Sequence, residues 1–323
     1  MSMECRIWKF GIDDNYITSF LSGMSLAHEE APRSEAWFHW KFEQSPYGEA
    51  ILACAFDSGE VAGCVAYGKG IIEYSGERYR CALSYETFVR PDYQGKGLFK
   101  RLINLAEEES KKQGIQFLYN FPNENSITGF KHMGWTCRND LQQYKIRIVR
   151  PTRTILHIKD LRKSFIPQPS NLNDIKSINL DDIKEEHGET ATINPIWTKE
   201  YLLWRFFTFP NRHYYVLNSS MVFSIAMVGN RGGLVEAHIL YIQSKLPKRK
   251  DKRYIGSLID AIRKDVNPDI ISYRSTAEDR FFSAARDFFK VPTHSNFCYK
   301  VLSDDFPLKD FRMLLPSINA HTY

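Results

Sequence analysis

The residues whose types and spacing most directly imply chemistry are Gln94, Gly95, Lys96, Gly97 and Leu98. They sit where a strand-like run closing at Val89 turns into a segment with Leu98, Leu102, Leu105 and Ala106 at helical spacing. Backbone N–H groups at a helix N-terminus lack intrahelical partners, and the helix dipole there favours negative charge. Two glycines let a bulky anion approach the main chain closely, and Lys96 adds positive charge, so the turn suits a phosphate or pyrophosphate. The glycine-rich loop of nucleoside triphosphatases, with its Gly-Lys-Ser/Thr ending, is absent.

Such a turn needs a scaffold, and the first half of the chain supplies one. A strand over 5–9 leads into an amphipathic helix over 13–24; a second helix, opened by Ser34 and carrying Trp37, Phe38, Trp40 and Phe42, stops at Pro46 and Gly48. Strand-like runs over 51–56 and 61–67 form one hairpin, a second turns at Ser75 and Gly76, and the strand over 79–89 enters the glycine turn. The helix after it closes at Gly114; a buried strand follows, then a helix over 125–133 and a strand pair over 135–149.

Composition shifts over 151–195, with few aromatics and an acidic stretch from Asp181. After it the aromatic helix returns: residues 36–42 match 200–206, with Trp40 against Trp204 and Pro46 against Pro210 at one offset of 164 residues. Strand-like runs over 213–217, 221–228 and 234–242 follow, then helices near 254–264 and 278–289, and residues 143–146 are echoed by 298–301. The chain reads as two copies of one domain, 1–150 and 191–323, joined by a linker or peripheral segment over 151–190.

The chain has 323 residues, 43% apolar and 25% charged, which fits folded domains and excludes disordered, collagen-like and coiled-coil classes. Its formal charge is +5, with Lys and Arg interspersed among Asp and Glu, so nucleic acid is not an expected partner. Cys5, Cys54, Cys64, Cys81, Cys137 and Cys298 form no CxxC pair and no zinc pattern; no metal is expected, and reduced cysteines packing as small hydrophobes fit a cytoplasmic protein. No apolar run approaches a membrane span or a signal core, so no membrane partner is expected.

The strand, turn and helix around Gln94 resemble the GNAT superfamily of acyl-CoA-dependent N-acyltransferases, whose signature is Gln/Arg-x-x-Gly-x-Gly/Ala at the end of the fourth strand. Phe99 departs from it, standing where Gly or Ala is usual. Residues 121–126 and 130–135 resemble two further segments of the family, and the likeness covers most of 5–149. It implies an α/β (α+β) fold of two GNAT-like domains, each a mixed, mostly antiparallel twisted sheet with a splayed central strand pair and helices on both faces. It also implies acetyl-CoA as cosubstrate, with the pantetheine arm along the backbone of Phe88 and Val89, the pyrophosphate on residues 94–99, and Asn123, Ser126 and Phe130 lining the acyl arm.

Acyl transfer to an amine needs a neutral nucleophile and protonation of the leaving thiolate. Glu86 is the candidate proton acceptor; its other reading is a strand-surface carboxylate paired with Arg78, Arg80 or another base. The tyrosine that serves the family as acid corresponds to Phe130, which leaves Tyr119 or a water for that role. His28, Glu29, Glu30, Arg33, Trp37 and Trp40 gather around the loop expected to shape the acceptor site, and core packing is the competing role for the two tryptophans. The second copy carries a basic run over 245–253 in place of the glycine turn and is expected not to bind CoA. The leading reading is acetyl transfer to a primary amine of a small polar acceptor, such as an amino sugar or nucleotide-sugar, by a monomer or weak homodimer. The rivals are an acyl-CoA-binding module without catalysis and a polyanion- or protein-interaction protein.

Overall fold

A computed structural model describes residues 3–168, 191–208, 214–247, 250–291, 295–308, 310–316 and 318. Pro210, His213, Lys248, Arg249 and residues 169–190 of the expected linker lie outside them. Two sheets organise the chain. The first contains β1 (Glu4–Ile7), β2 (Ile51–Asp57), β3 (Glu60–Tyr74), β4 (Glu77–Val89), β5 (Phe117–Asn120) and β6 (Thr136–Arg138). The second contains β10 (Tyr215–Asn218), β11 (Val222–Arg231), β12 (Leu234–Ser244), β13 (Ile270–Ser275) and β14 (Phe289–Val291). Between them in sequence lie β7 (Gln143–Ile148), β8 (Ile166–Pro167) and β9 (Asn194–Pro195), and β15 (Phe297–Val301) comes last.

Near-continuous apolar runs in β2 and β3 bury both faces of the first sheet at its centre. Helices α1 (Ile17–His28) and α2 (Glu35–Phe42) cover one face, packing Phe20, Phe38 and Phe42 against Trp8 and Phe88. Helix α3 (Leu98–Lys112) covers the other with Leu98, Leu102, Ile103 and Ala106, the residues of its apolar stripe, and α4 (Glu124–His132) adds Phe130 there. The short helix α5 (Pro151–Leu156) enters the second half, where α6 (Lys199–Leu202) runs into a π-turn over Leu203–Phe207, and α7 (Asp251–Asp265) packs as α3 does. A helix expected over 278–289 is only α8 (Arg280–Ala284); Phe289–Val291 continues as a strand.

The repeat is visible in its caps. Ser34 Oγ accepts from the N–H of Trp37 at 3.2 Å, and 164 residues later Thr198 Oγ1 accepts from Tyr201 at 3.2 Å. The strand orders also match: β2-β3-β4-β5-β15-β6 against β10-β11-β12-β13-β7-β14, with the parallel pairs β4–β5 and β12–β13 at the same place.

These orders correct the expected strand pair over 135–149. β6 and β7 do not pair with each other: β7 crosses into the second sheet between β13 and β14, and β15 returns to the first between β5 and β6. The two copies exchange their equivalent strands. At the crossing, Ser295 Oγ donates to Gln142 Oε1 at 2.8 Å, both residues being buried. β15 is held further by Lys300, whose ammonium donates to Glu107 of α3 at 2.6 Å and to the Met133 carbonyl at 2.8 Å. Cys137 and Cys298 sit directly opposite on β6 and β15 and form a disulfide, which corrects the reading of both as free thiols; Cys5, Cys54, Cys64 and Cys81 are free. Among the described residues no helix is long and apolar enough to cross a membrane.

Candidate active site

The central strands part where the sequence expects a splayed pair. β4 bonds to β5 only from Cys81–Phe117 to Ser84–Asn120; β5 ends at Asn120 while β4 runs on to Val89. Past Ser84, β4 is paired on its β3 side alone, through Phe88 to Cys64 and Val89 to Gly63. Its other edge offers backbone groups to an added extended ligand. A register shift between Cys64 and Ala66 makes a bulge, and Glu86 occupies it with φ 48°, a left-handed conformation that costs about 1–2 kcal/mol for a residue with a side chain. Nearby, the buried hydroxyls of Ser84 and Thr87 have no hydrogen-bond partner among the described residues.

At the strand's end, a short turn (Pro91–Tyr93) leads through Gln94 to Gly97, the N-cap of α3. Gly95 and Gly97 have φ 74° and 71°, and a Cβ on either would meet nothing within 4 Å, so this face of the loop is clear. Helix α3 has no acidic residue in its first turn, which leaves its N-terminal amides unopposed by local negative charge. The side chains do less than their types suggest. Gln94 Nε2 donates back to the Val89 carbonyl at 3.2 Å, and Lys96 Nζ donates to the Asp92 carbonyl at 2.9 Å beneath the Tyr93 ring. Leu98 is buried. The open edge and clear amides fit an extended thioester carrier with an anionic head.

Phe99 packs edge-on against Phe130 at 5.5 Å and covers Gly129. Phe130 is a core residue, with its ring also against Trp135 at 4.9 Å, and it presents no surface to an acyl arm. Asn123 caps α4, its Oδ1 accepting from the N–H of Asn125 and Ser126, and Ser126 Oγ donates to the same oxygen.

Beside the strand split, where β3, β4 and β5 run together, a cleft opens between the two halves. Leu83 and Tyr85 of β4 and Tyr119 of β5 line it, with Tyr47 and, from the second half, Trp197, Tyr201 and Trp204. Burial pushes the Tyr119 hydroxyl well above its ordinary pKa, so it stays protonated. Behind Tyr85, Lys41 of α2 places its ammonium 4.5 Å over the Tyr85 ring and 3.6 Å from Glu86 Oε1. Burial lowers Lys41 to about 8, against the opposing pull of Glu86 and with Arg205 adding to the fall. Glu86 is therefore paired, but with Lys41 rather than with Arg78 or Arg80.

The structure brings Glu86, Phe88, Val89 and the 94–99 turn to one end of the strand split, and Tyr119 to the cleft beside it. It does not bring the expected acceptor residues there. His28 and Glu29 are exposed at the end of α1, Glu30 bonds to Arg33, and Trp37 is buried against Phe42 at 5.6 Å. None of them lines the cleft. Lys41 was legible only indirectly, as a lysine inside an aromatic helix whose counterpart at the offset of 164 is Arg205. Tyr47, Tyr85 and Tyr201 carried no signal beyond being aromatic.

Residues 12–138 match the acetyltransferase (GNAT) domain family. An L-methionine sulfoximine/L-methionine sulfone acetyltransferase of Pseudomonas aeruginosa is 31% identical over 84 residues, 26% of this chain; the match spans less than half of that relative, 45% of its length. Among solved structures, a probable N-acyltransferase from Enterococcus faecalis superposes over 93% of this chain and 73% of its own with a TM-score of 0.63 at 12% identity. A GCN5-related N-acetyltransferase from Anabaena variabilis gives 0.61 at 13% identity, over 93% of this chain and 73% of its own. Saccharomyces cerevisiae N-myristoyltransferase with bound myristoyl-CoA gives 0.54 at 11%, over 92% and 82%. Residues 12–138 are thus similar to a GNAT acetyltransferase domain, and they are joined in one polypeptide to a second sheet of the same strand order.

Proposed function

We propose that the protein transfers an acetyl group from acetyl-CoA to the primary amine of a small acceptor. The observation that carries this reading is the open edge of β4 past Ser84, beside an α3 N-terminus whose two glycines face clear space. Acetyl-CoA supplies the activated thioester. The β4 backbone around Phe88 and Val89 binds the carrier's amides as an added strand would, and its N–H groups are placed to stabilise developing negative charge on an acyl oxygen. Residues 94–99 hold the pyrophosphate. Asn123 and Ser126 act through the cap that fixes α4 rather than as free ligands.

Glu86, held at the bulge by Lys41, accepts the amine proton directly or through a water. Tyr119, kept protonated by burial, is the donor suited to the departing thiolate, which with an ordinary pKa of about 8.5 leaves readily in any case. The Pseudomonas relative, named for small amine-bearing acceptors, supports this substrate size. In the second half the bulge recurs between Ile225 and Ala226 without a glycine turn after β12, so one CoA site per chain is expected. This reading places the protein in the cytoplasm, where acetyl-CoA is made available, as a monomer or weak homodimer.

Calorimetric titration of the full chain with acetyl-CoA tests it, beside Gly97→Glu. Binding near one site per chain that the variant loses supports the reading. No binding by the wild type sinks it.

A further inference from the structure

The cleft between the halves belongs to neither copy alone, and its position is functional. Leu83, Tyr85 and Tyr119, which form its floor, flank the point where β4 and β5 part, so whatever lies in the cleft reaches the place where an acyl group is presented. Its lining is unlike that expected of a sugar site. Tyr47, Tyr85, Tyr119, Trp197, Tyr201 and Trp204 dominate it; Ser45 and Lys69 are its polar side chains, and no Asp or Glu is among the described residues that line it.

Three of these six rings commit their polar ends elsewhere. The Tyr47 hydroxyl donates to the Ile196 carbonyl at 2.5 Å, Tyr85 to the Lys41 carbonyl at 3.4 Å, and Trp204 Nε1 to the Trp40 carbonyl at 2.9 Å. Ring faces make up most of what remains, beside Ser45, Lys69 and the Tyr119 and Tyr201 hydroxyls. A polyhydroxylated acceptor would give up more bonds to water than these few groups can replace. A flat apolar body gains from the same surface, and an amine beside ring faces is attracted without being fixed as an ammonium. With no lining carboxylate to hold a proton on it, an amine entering this apolar space loses its charge more easily than in water.

We propose that this cleft is the acceptor subsite and that it takes a primary amine carried on a flat apolar body, an arylalkylamine, in preference to an amino sugar. The assignment rests on the acyltransferase reading above and narrows it. Because the second half contributes Trp197, Tyr201 and Trp204, that half acts as the acceptor-side wall.

The test uses the full chain with 2-phenylethylamine and glucosamine, read in two ways: quenching of intrinsic tryptophan fluorescence without acetyl-CoA, and thiol release with it. The expected results are quenching by phenylethylamine only, and a kcat/KM for phenylethylamine about a hundredfold above that for glucosamine. Tyr201→Leu, which removes one ring face at similar volume, should raise the phenylethylamine KM about tenfold with acetyl-CoA affinity unchanged. The wild-type comparison carries the test if that variant does not fold. Glucosamine used as well as phenylethylamine, with acetyl-CoA bound, overturns the acceptor class and leaves the acyltransferase reading standing. Phenylethylamine binding without any acetyl-CoA binding overturns the acyltransferase reading and supports the cleft as an amine site. Myristoyl-CoA binding far more tightly than acetyl-CoA, an advantage lost in Tyr201→Leu, overturns the proposal by making the cleft an acyl-chain site.

Discussion

Trp40 and Trp204 clasp one another across the junction of the two halves. Their rings stack at 5.1 Å with planes 22° apart, Trp40 Nε1 donates to the Trp204 carbonyl at 3.0 Å, and Trp204 Nε1 returns the bond to the Trp40 carbonyl at 2.9 Å. The reciprocity is that of a local two-fold axis between equivalent helices, and it fixes Trp204 and Tyr201 against the cleft that Tyr85 lines from the first half.

Because Trp40 is almost fully buried, Trp40→Ala should destabilise the chain by about 3–5 kcal/mol, and Trp204→Ala, less buried, by less. Ring stacking predicts a coupling energy of about 0.5–1.5 kcal/mol in a double-mutant cycle, the two hydrogen bonds ending on backbone carbonyls that alanine keeps. Urea unfolding of the four proteins measures it. Additive effects would mean that the two tryptophans fill space independently.

Lys41 predicts a particular dependence on pH. Its folded pKa, about 8, lies below the unfolded value near 10.5, so between these limits the unfolded chain binds more protons than the folded one. Stability should therefore rise as pH increases from 8 towards 10.5, by up to about 3 kcal/mol on the order of this shift, with the penalty fully present below pH 8. The difference between wild type and Lys41→Met across pH 7.5–9.5 isolates this group from the tyrosines, which titrate higher. A constant difference over that range would remove Lys41 from the account.

What could be read in advance follows from which signals are local. The glycine turn, the α3 stripe and the cap at Ser34 are set by residues a few positions apart, and all appear where the sequence puts them. The strand exchange was hidden because residues 143–146 and 298–301 present the same pattern. A strand that satisfies one sheet satisfies its equivalent, so periodicity cannot say which sheet it joins. The crossing is decided by long-range contacts, Gln142 with Ser295 and Lys300 with Glu107. The cleft was hidden for a similar reason. Charged residues at 28–30 read as a ligand site in sequence, whereas the cleft is assembled from tyrosines and tryptophans drawn from both halves.

The Cys137–Cys298 bond closes a loop of 161 residues that begins and ends within one sheet, and it ties the exchanged strand β15 to β6. A cross-link of this span contributes about 2–4 kcal/mol, chiefly by restricting the unfolded chain. Dithiothreitol should lower the urea midpoint of the wild type to that of a Cys137→Ala, Cys298→Ala double variant and leave the variant's own midpoint unchanged. Identical wild-type curves with and without reductant would show that the bond does not stabilise the chain. Protein isolated from a reducing cytoplasm should carry both thiols free, with acetyl-CoA binding retained because Lys300 still anchors β15.

Gly68 on β3 gives a sharper test of the cleft than removing a ring does. A Cβ there would fall on the Tyr85 ring and 2.6 Å from its hydroxyl. Tyr85 has little room to yield: Phe42 stacks on it at 6.0 Å, the Lys41 ammonium covers its face, and its hydroxyl is bonded to the Lys41 carbonyl. Gly68→Ala should therefore cost about 1–3 kcal/mol through crowding, since φ at Gly68 is not in the left-handed region. The displaced ring has the cleft as its open side, so the acceptor KM should rise while acetyl-CoA, held farther along β4 and on the 94–99 turn, binds as before. Gly256→Ala is the matched control: it lies inside α7 with nothing within 4 Å of its Cβ, and helix propensity predicts a gain of about 0.5–1 kcal/mol. If Gly68→Ala weakens acetyl-CoA and acceptor equally, the two ligands do not occupy separate stretches of β4. If only the acceptor is affected, the cleft rather than the exposed end of α1 is where the amine sits.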